Sequence, residues 1–142
     1  MRQEIIVREA RPEDDARIGE LLVKAFVDTY AQKMPEVVVT EERKHELRNV
    51  AEKRQNATVL VAEMEGLVIG TVSIVKPGAK CTEAWLDNAA DLRHLASDIS
   101  VHGRGYASAL LDRAEEIAFE EWKASAICLH VRRGASGVAR MY

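Results

Sequence analysis

The stretch with the clearest chemical potential runs from Leu92 to Leu111. Leu92 to Ala96 reads as a strand, and it leads into His102-Gly103-Arg104-Gly105-Tyr106-Ala107, after which a strong helical pattern begins. Glycines let the backbone turn tightly and approach a ligand closely, because they carry no Cβ. A helix that starts there presents main-chain N–H groups without intrahelical partners and the positive end of its dipole. Together these make a cradle for a phosphate or pyrophosphate, with Arg104 placed to add charge. The plainer reading of the same residues is that the glycines only turn the chain, and so short a motif leaves both open. A Rossmann dinucleotide unit fits poorly, because Ala107 and Ser108 follow Gly105 and G-x-G-x-x-G is incomplete. The lysine of a Walker motif is missing as well.

The other reactive side chains are scattered. His102 can contact phosphate when protonated, or it is a solvated turn residue. His94 alternates with Leu95 on the strand and faces either a site or the surface. His45 falls on a charged helix and reads as solvated. No pair of histidines has the spacing of a metal site. The two cysteines, Cys81 and Cys128, suggest neither a metal site nor a disulfide framework. Cys128 lies in an apolar run and reads as a buried free thiol.

These residues need a scaffold, and the patterning supplies one. Ile5 to Val7 is a short β-branched strand. Pro12 with Glu13, Asp14 and Asp15 signals a helix start, since the acids meet the positive end of the dipole. Ile18, Leu21, Leu22, Ala25 and Phe26 then give one apolar helical stripe. Pro35 argues against a long helix through Tyr30 to Val39. Thr40 can cap a second, surface helix with Leu47, Val50 and Ala51 on one side. Ala57 to Met64 and Leu67 to Val75 form a hairpin about Glu65-Gly66. Cys81 to Ala90 reads as a loop. After the glycine turn, Ala107, Leu110, Leu111, Ala114, Ile117, Ala118 and Trp122 share a helix face. Ala126 to Val131 is a last strand, and Val138 to Tyr142 opens another helix. Mostly antiparallel strands followed by one strand-helix-strand crossover predict an α+β domain with a local parallel pair.

The composition is consistent with this. The chain has 142 residues, enough for one domain, residues 1–142, with a core that needs no metal or disulfide staple. Apolar residues make up 47% and charged residues 30%, as in a folded globular protein. The net charge of −3 argues against a nucleic-acid binder with a broad basic surface, although Arg132 and Arg133 are a local basic pair. No signal peptide or transmembrane stretch is visible, so no membrane partner is expected and a reducing cytoplasm is the expected compartment.

Ala90-Asp91-Leu92-Arg93-His94-Leu95-Ala96, followed by Gly103-Arg104-Gly105-Tyr106-Ala107 and Ala109-Leu110-Leu111, resembles the acetyl-CoA signature of GNAT acetyltransferases. That signature is Arg or Gln, two residues, Gly, one residue, then Gly or Ala. Gly105 and Ala107 match its last two anchors. Arg8 to Phe26 is similar to the family's first strand and helix, Ala62 to Thr71 to its central hairpin, and Leu129 to Tyr142 to its last conserved block.

The resemblance implies a mostly antiparallel, twisted, mixed sheet flanked by helices, with a central strand, pyrophosphate loop, helix and strand. It implies acetyl-CoA as cosubstrate and transfer of the acetyl group to a primary amine by direct attack. The acceptor would be a small molecule or a peptide, with Tyr30 to Arg54 forming much of its wall. The pyrophosphate would lie on the backbone of Gly103, Arg104, Gly105, Tyr106 and Ala107, with His102 and Ser108 at the borders. Leu95, Ala96 and Ser97 would run along the pantetheine arm in a gap between Leu92–Ala96 and Ala126–Val131, near His130.

Tyr142 aligns with a tyrosine that protonates the departing thiolate, and is otherwise a mobile terminal residue. Asp91 is the candidate base, acting through water, and is otherwise a surface acid at a strand start. This sequence departs from the pattern in carrying His102 for Arg or Gln, and Ala135 and Ser136 where many members have asparagine. Members also continue past the position of Tyr142 into two further strands. The Cys128 strand would then have an open edge: either the sequence stops short of those strands, or a second copy covers the edge in a homodimer. The competing reading is a module that binds CoA or a partner protein without turnover, and a third is a structural domain whose glycine turn binds nothing.

Overall fold

The computed structural model describes residues 5–33, 40–79, 84, 86–97 and 105–129. Among them, five strands form one sheet in the order β1-β2-β3-β4-β5. The strands are β1 (Ile5–Glu9), β2 (Thr58–Met64), β3 (Leu67–Val75), β4 (Ala89–Ser97) and β5 (Ala126–Leu129). Neighbours run antiparallel except β4 and β5, which are parallel. Four helices, α1 (Asp15–Lys33), α2 (Glu41–Arg48), α3 (Val50–Asn56) and α4 (Tyr106–Glu116), cover the two faces. This is the mixed α+β architecture expected from the patterning.

Each sheet face has its own core. Leu60, Ile69, Val72, Ile74 and Leu92 pack with Tyr106, Leu110 and Ala114 of α4. Val59, Val61, Val68 and Ala96 pack with Ile18, Leu21 and Leu22 of α1, Leu47 of α2 and Val50 of α3. Alternation along β2 sends Leu60 to one face and Val59 and Val61 to the other, as a strand covered on both sides requires. Burying side chains of this size contributes about 1.5–3 kcal/mol each.

The local signals act as their chemistry dictates. Glu65 and Gly66 both take positive φ, 53° and 80°, which closes the β2–β3 hairpin in two residues. Thr40 caps α2 by accepting from the Arg43 N–H at 3.1 Å. Pro12 opens a 3₁₀ turn, Pro12–Asp14, ahead of α1. Asp14 accepts from the Arg11 N–H at 2.8 Å and from both terminal nitrogens of Arg8, at 2.7 and 3.1 Å. Arg8 also reaches Glu63 at 3.2 Å, so one guanidinium ties β1 to β2 and to the start of α1. Arg54 holds α3 against α1 through two 2.7 Å bonds to Asp15. Gly70 lets α4 lie close to β3, since a Cβ there would stand 3.2 Å from the Tyr106 ring and 3.3 Å from Leu110.

Several boundaries differ from expectation. The single helix after Thr40 is two helices, because Asn49 leaves helical geometry at ψ 64°. Leu47 and Val50 are both buried, whereas Ala51 is exposed. β4 begins at Ala89, inside the expected loop, because Ala89 and Ala90 pair with Ala126 and Ile127. α1 continues to Lys33. The regular part of α4 ends at Glu116 and a wider π turn, Ile117–Glu121, follows, so Trp122 lies beyond the helix. Cys128 is buried. The open edge expected beyond β5 and the final helix start fall outside the described residues. Among those residues no helix is long and apolar enough to cross a membrane.

Two predictions follow from this packing. The Arg8 guanidinium holds the Asp14 carboxyl below the usual carboxylate range. A lowered folded pKa stabilises the protein above the unfolded value near 3.8, and that contribution disappears as pH falls through the lower folded value. Asp14→Asn should therefore cost about 2 kcal/mol at pH 7 in urea melts, and the difference from the parent should shrink as pH drops below 4. Gly70→Ala should cost about 1–3 kcal/mol by overpacking against α4, read as a lower urea midpoint with an unchanged slope.

Candidate functional site

The site is built around the C-terminal half of β4. At one end, Gly105 caps α4 in left-handed conformation, φ 81° and ψ 2°, which favours glycine. A Cβ on Gly105 would meet no atom of the described residues within 4 Å. The first turn of α4 carries no acid. Its first helical bond runs from the Ala109 N–H to the Gly105 carbonyl at 3.1 Å. The preceding N–H groups, of Tyr106, Ala107 and Ser108, lie at the terminus where helical geometry offers them no acceptor. That end is chemically suited to an anion.

Tyr106 fixes this terminus to the strand. Its ring is buried against the α4-side core, and its Oη donates to Ser97 Oγ at 2.8 Å. One hydrogen bond thus ties the end of β4 to the start of α4. Leu95 packs on the α4 side and Ala96 on the α1 side, so the strand is held from both faces. His102, Gly103 and Arg104 lie outside the described residues, as do Tyr142, His130, Arg132, Arg133, Ala135 and Ser136.

The centre of the site is an irregularity in β4. Ala96 pairs with Thr71 but Arg93 pairs with Ser73, so β4 holds one residue more than β3 across this interval. His94 sits in the bulge with φ 58°. A bulge of this kind breaks the alternation of faces. Arg93 and His94, although consecutive, both line a cavity of about 270 Å³ on the α1 side of the sheet. His94, expected at either a site or the surface, belongs to this cavity.

The rest of the cavity wall comes from β3, through Ser73 and Val75, and from α2 and α3, through Arg43, Glu46, Asn49, Glu52 and Lys53. Most of its charges are already matched. Arg43 pairs with Glu46 at 3.1 Å and lies 5.3 Å above the Phe26 ring. Glu52 accepts from the Asn49 amide at 2.7 Å. Lys53 donates to the main-chain carbonyls of Glu46 and Asn49 at the end of α2. Burial, and then the nearby Arg43 guanidinium, hold the Lys53 ammonium below its ordinary pKa.

His94 Nδ1 is buried and has no hydrogen-bond partner among the described residues. Burial first, then the charges of Lys53, Arg43 and Arg93, push the imidazole down to about 3, so it is neutral near pH 7.

Asp91 is fully enclosed and forms an ion pair with Arg93, which lines the cavity. It is therefore not a surface acid at a strand start: β4 begins two residues earlier and β3 and β5 flank it through Val75 and Cys128. Sequence reasoning placed Arg43 and Lys53 only within the acceptor-wall stretch Tyr30 to Arg54, and gave no role to Arg93. One signal was present, since Leu92-Arg93-His94-Leu95 places two polar residues in succession where a regular strand would alternate.

Comparison with known proteins fits this geometry. The family model described as "Acetyltransferase (GNAT) family" matches residues 16–142. A search of curated proteins by sequence gives no match. Among solved structures, the chain is similar to a ribosomal-protein-alanine N-acetyltransferase from Brucella melitensis biovar Abortus 2308. The TM-score is 0.69 at 20% identity, covering 98% of this chain and 88% of that one. It is similar to a GNAT-family acetyltransferase from Staphylococcus aureus Mu50 at TM-score 0.75 and 13% identity, covering 98% and 81%. A GNAT-family acetyltransferase from Brucella melitensis, solved in complex with acetyl-CoA, superposes at TM-score 0.65 and 20% identity, covering 92% and 78%. At these identities the structural likeness concerns the fold, and the family match spans most of the sequence: the chain belongs to the GNAT family of acetyltransferases, which use acetyl-CoA.

Proposed function

We propose that this chain moves an acetyl group from acetyl-CoA to a primary amine by direct attack. The observation that carries the reading is the bulged end of β4, which joins an anion-suited helix terminus to a polar cavity across a single strand. Acetyl-CoA has a pyrophosphate and a thioester at opposite ends of a flexible arm, and an acceptor must meet the thioester end. The N–H groups of Tyr106, Ala107 and Ser108, with Gly105 as the unhindered cap, would hold the pyrophosphate, together with His102, Gly103 and Arg104. Leu95, Ala96 and Ser97 would run along the arm.

In the reaction a neutral amine forms a C–N bond to the thioester carbonyl carbon. The C–S bond breaks, the amine loses a proton and the sulfur gains one. We assign the proton donor to Tyr142. Asp91, enclosed and paired with Arg93, acts on the cavity through that guanidinium and is a positioning residue. The neutral His94 ring lines the cavity and would orient the amine while its proton passes to water. The compartment that suits this chemistry is the cytoplasm, where acetyl-CoA would be available to a soluble domain.

Two predictions test the reading. Calorimetry should find acetyl-CoA binding near one site per chain, and Gly105→Val should weaken it at least tenfold. The variant should also lose about 1–3 kcal/mol of stability from positive-φ strain, so binding is compared on folded samples. Unchanged affinity would remove the cradle from this site, and binding without thiol release across an amine panel would leave a module that holds CoA without turnover. The second prediction concerns His94. With its folded pKa near 3 and an unfolded value near 6.5, its contribution to stability is full above 6.5 and is lost progressively as pH falls toward 3. NMR of the ring protons should show no His94 titration between pH 5 and 8; an inflection there would make the group an ordinary solvated imidazole.

A further inference from the structure

We infer that the acetyl acceptor is a small primary amine that also carries a carboxylate, seated in the α2–α3 cavity with that carboxylate on the Lys53 ammonium. This rests on the acetyl-transfer reading and deepens it by naming the acceptor class.

Size limits the occupant first. A cavity of about 270 Å³ lies near the lower end of small-molecule sites, about 300–1,000 Å³. It admits a compact metabolite or a single residue, not a folded surface.

Charge then selects among amines. Arg43 is compensated by Glu46, and Arg93 by Asp91. Among the described residues of the wall, what remains is one cation, Lys53, and one acid, Glu52, whose carboxylate accepts a hydrogen bond from Asn49. The cations Arg43, Lys53 and Arg93 are balanced in number by Glu46, Glu52 and Asp91. A polyamine with several positive charges would gain no net attraction and would approach three cations. An aminocarboxylate brings one charge of each sign to a wall that offers one of each.

Lys53 is the anchor for two reasons. An ammonium has three hydrogens to donate, and its bonds among the described residues are to two main-chain carbonyls, the one to Asn49 long at 3.5 Å. No carboxylate among the described residues pairs with it. It is also partly withdrawn from water beside Arg43, so its charge is costly until an anion arrives. A carboxylate would take the remaining donor and offset the repulsion. On the facing strand, the His94 ring lines the same cavity and stands beside the amine. The product is the corresponding N-acetylated acid with free CoA thiol, and no further co-reactant is needed.

The test compares matched ligands on the intact chain. The series from glycine to 6-aminohexanoate would be titrated against propylamine, butylamine, 1,4-diaminobutane and a short peptide with a free N-terminus. NMR would follow His94 ring and Lys53 side-chain signals at fixed pH, with thiol release measured in parallel. At least one aminocarboxylate should shift both residues saturably and bind ten times or more tighter than its uncharged-tail counterpart. Lys53→Met should abolish that preference. Lys53→Glu serves as the second variant if the first is unfolded, and should favour the diamine.

Equal or tighter binding of butylamine, 1,4-diaminobutane or the peptide would overturn the inference, as would His94 and Lys53 signals unmoved by every aminocarboxylate. The two readings fail separately. Acetyl-CoA binding with turnover only of neutral or dicationic amines would sink this inference and leave acetyl transfer standing. Aminocarboxylate binding in a folded chain that does not bind acetyl-CoA would do the reverse.

Discussion

A strand has a side-chain period of two, and the whole site depends on breaking that period once. The extra residue in β4 between the Ala96–Thr71 and Arg93–Ser73 pairs turns two consecutive polar side chains to one face. Without it, a regular strand would send either Arg93 or His94 into the α4-side core, among Leu92, Ile74 and Leu110, where an unpaired charge or imidazole is costly. With it, both side chains enter the cavity and Leu95 remains available to the core. The left-handed backbone of His94 is strained, and it persists because paired β3 residues on either side hold the strand.

The rest of the fold secures the two sides of that irregularity. On one side, α4 is drawn close by the bare backbone of Gly70 and by the Tyr106–Ser97 hydrogen bond, which sets its glycine-capped terminus at the end of β4. On the other side, α1 packs on β3 and β4 while Arg54 and Asp15 hold α3 beside it. The parallel β4–β5 pair is pinned at its start by Asn88, whose amide donates to the Lys123 carbonyl and to Ser125 at 3.0 Å each. The strand that bears the site is therefore braced at its entry, at its bulge and at its exit.

The α2–α3 break has a comparable role. At the interruption the Glu46 carbonyl accepts from the Asn49 N–H and the Asn49 carbonyl from the Lys53 N–H, and the Lys53 ammonium folds back to donate to both as well. That draws an ammonium toward the cavity while Leu47 and Val50 still reach the core. Local backbone bonding and site electrostatics are in this way the same set of interactions.

Much of the scaffold was legible in the sequence. The Glu65-Gly66 hairpin, the Thr40 cap, the Pro12 helix start and the stripe of α4 all depend on neighbours within a few residues, and such signals survive in a linear reading. The glycine-led helix terminus and the family were legible for the same reason, since Gly105, Tyr106 and Ala107 are contiguous. The cavity was not. Lys53, Arg93 and His94 meet because α3 and the bulge of β4 border one cavity, and register across strands is a property of pairing, which no single strand encodes. Asp91 is the clearest case. Its residue type and position suggested a base or a surface acid, but burial between β3 and β5 and pairing with Arg93 made it an enclosed partner. Composition and short-range order determined which elements form; only the tertiary structure decided which charges face one another, because burial and pairing arise between segments far apart in the chain.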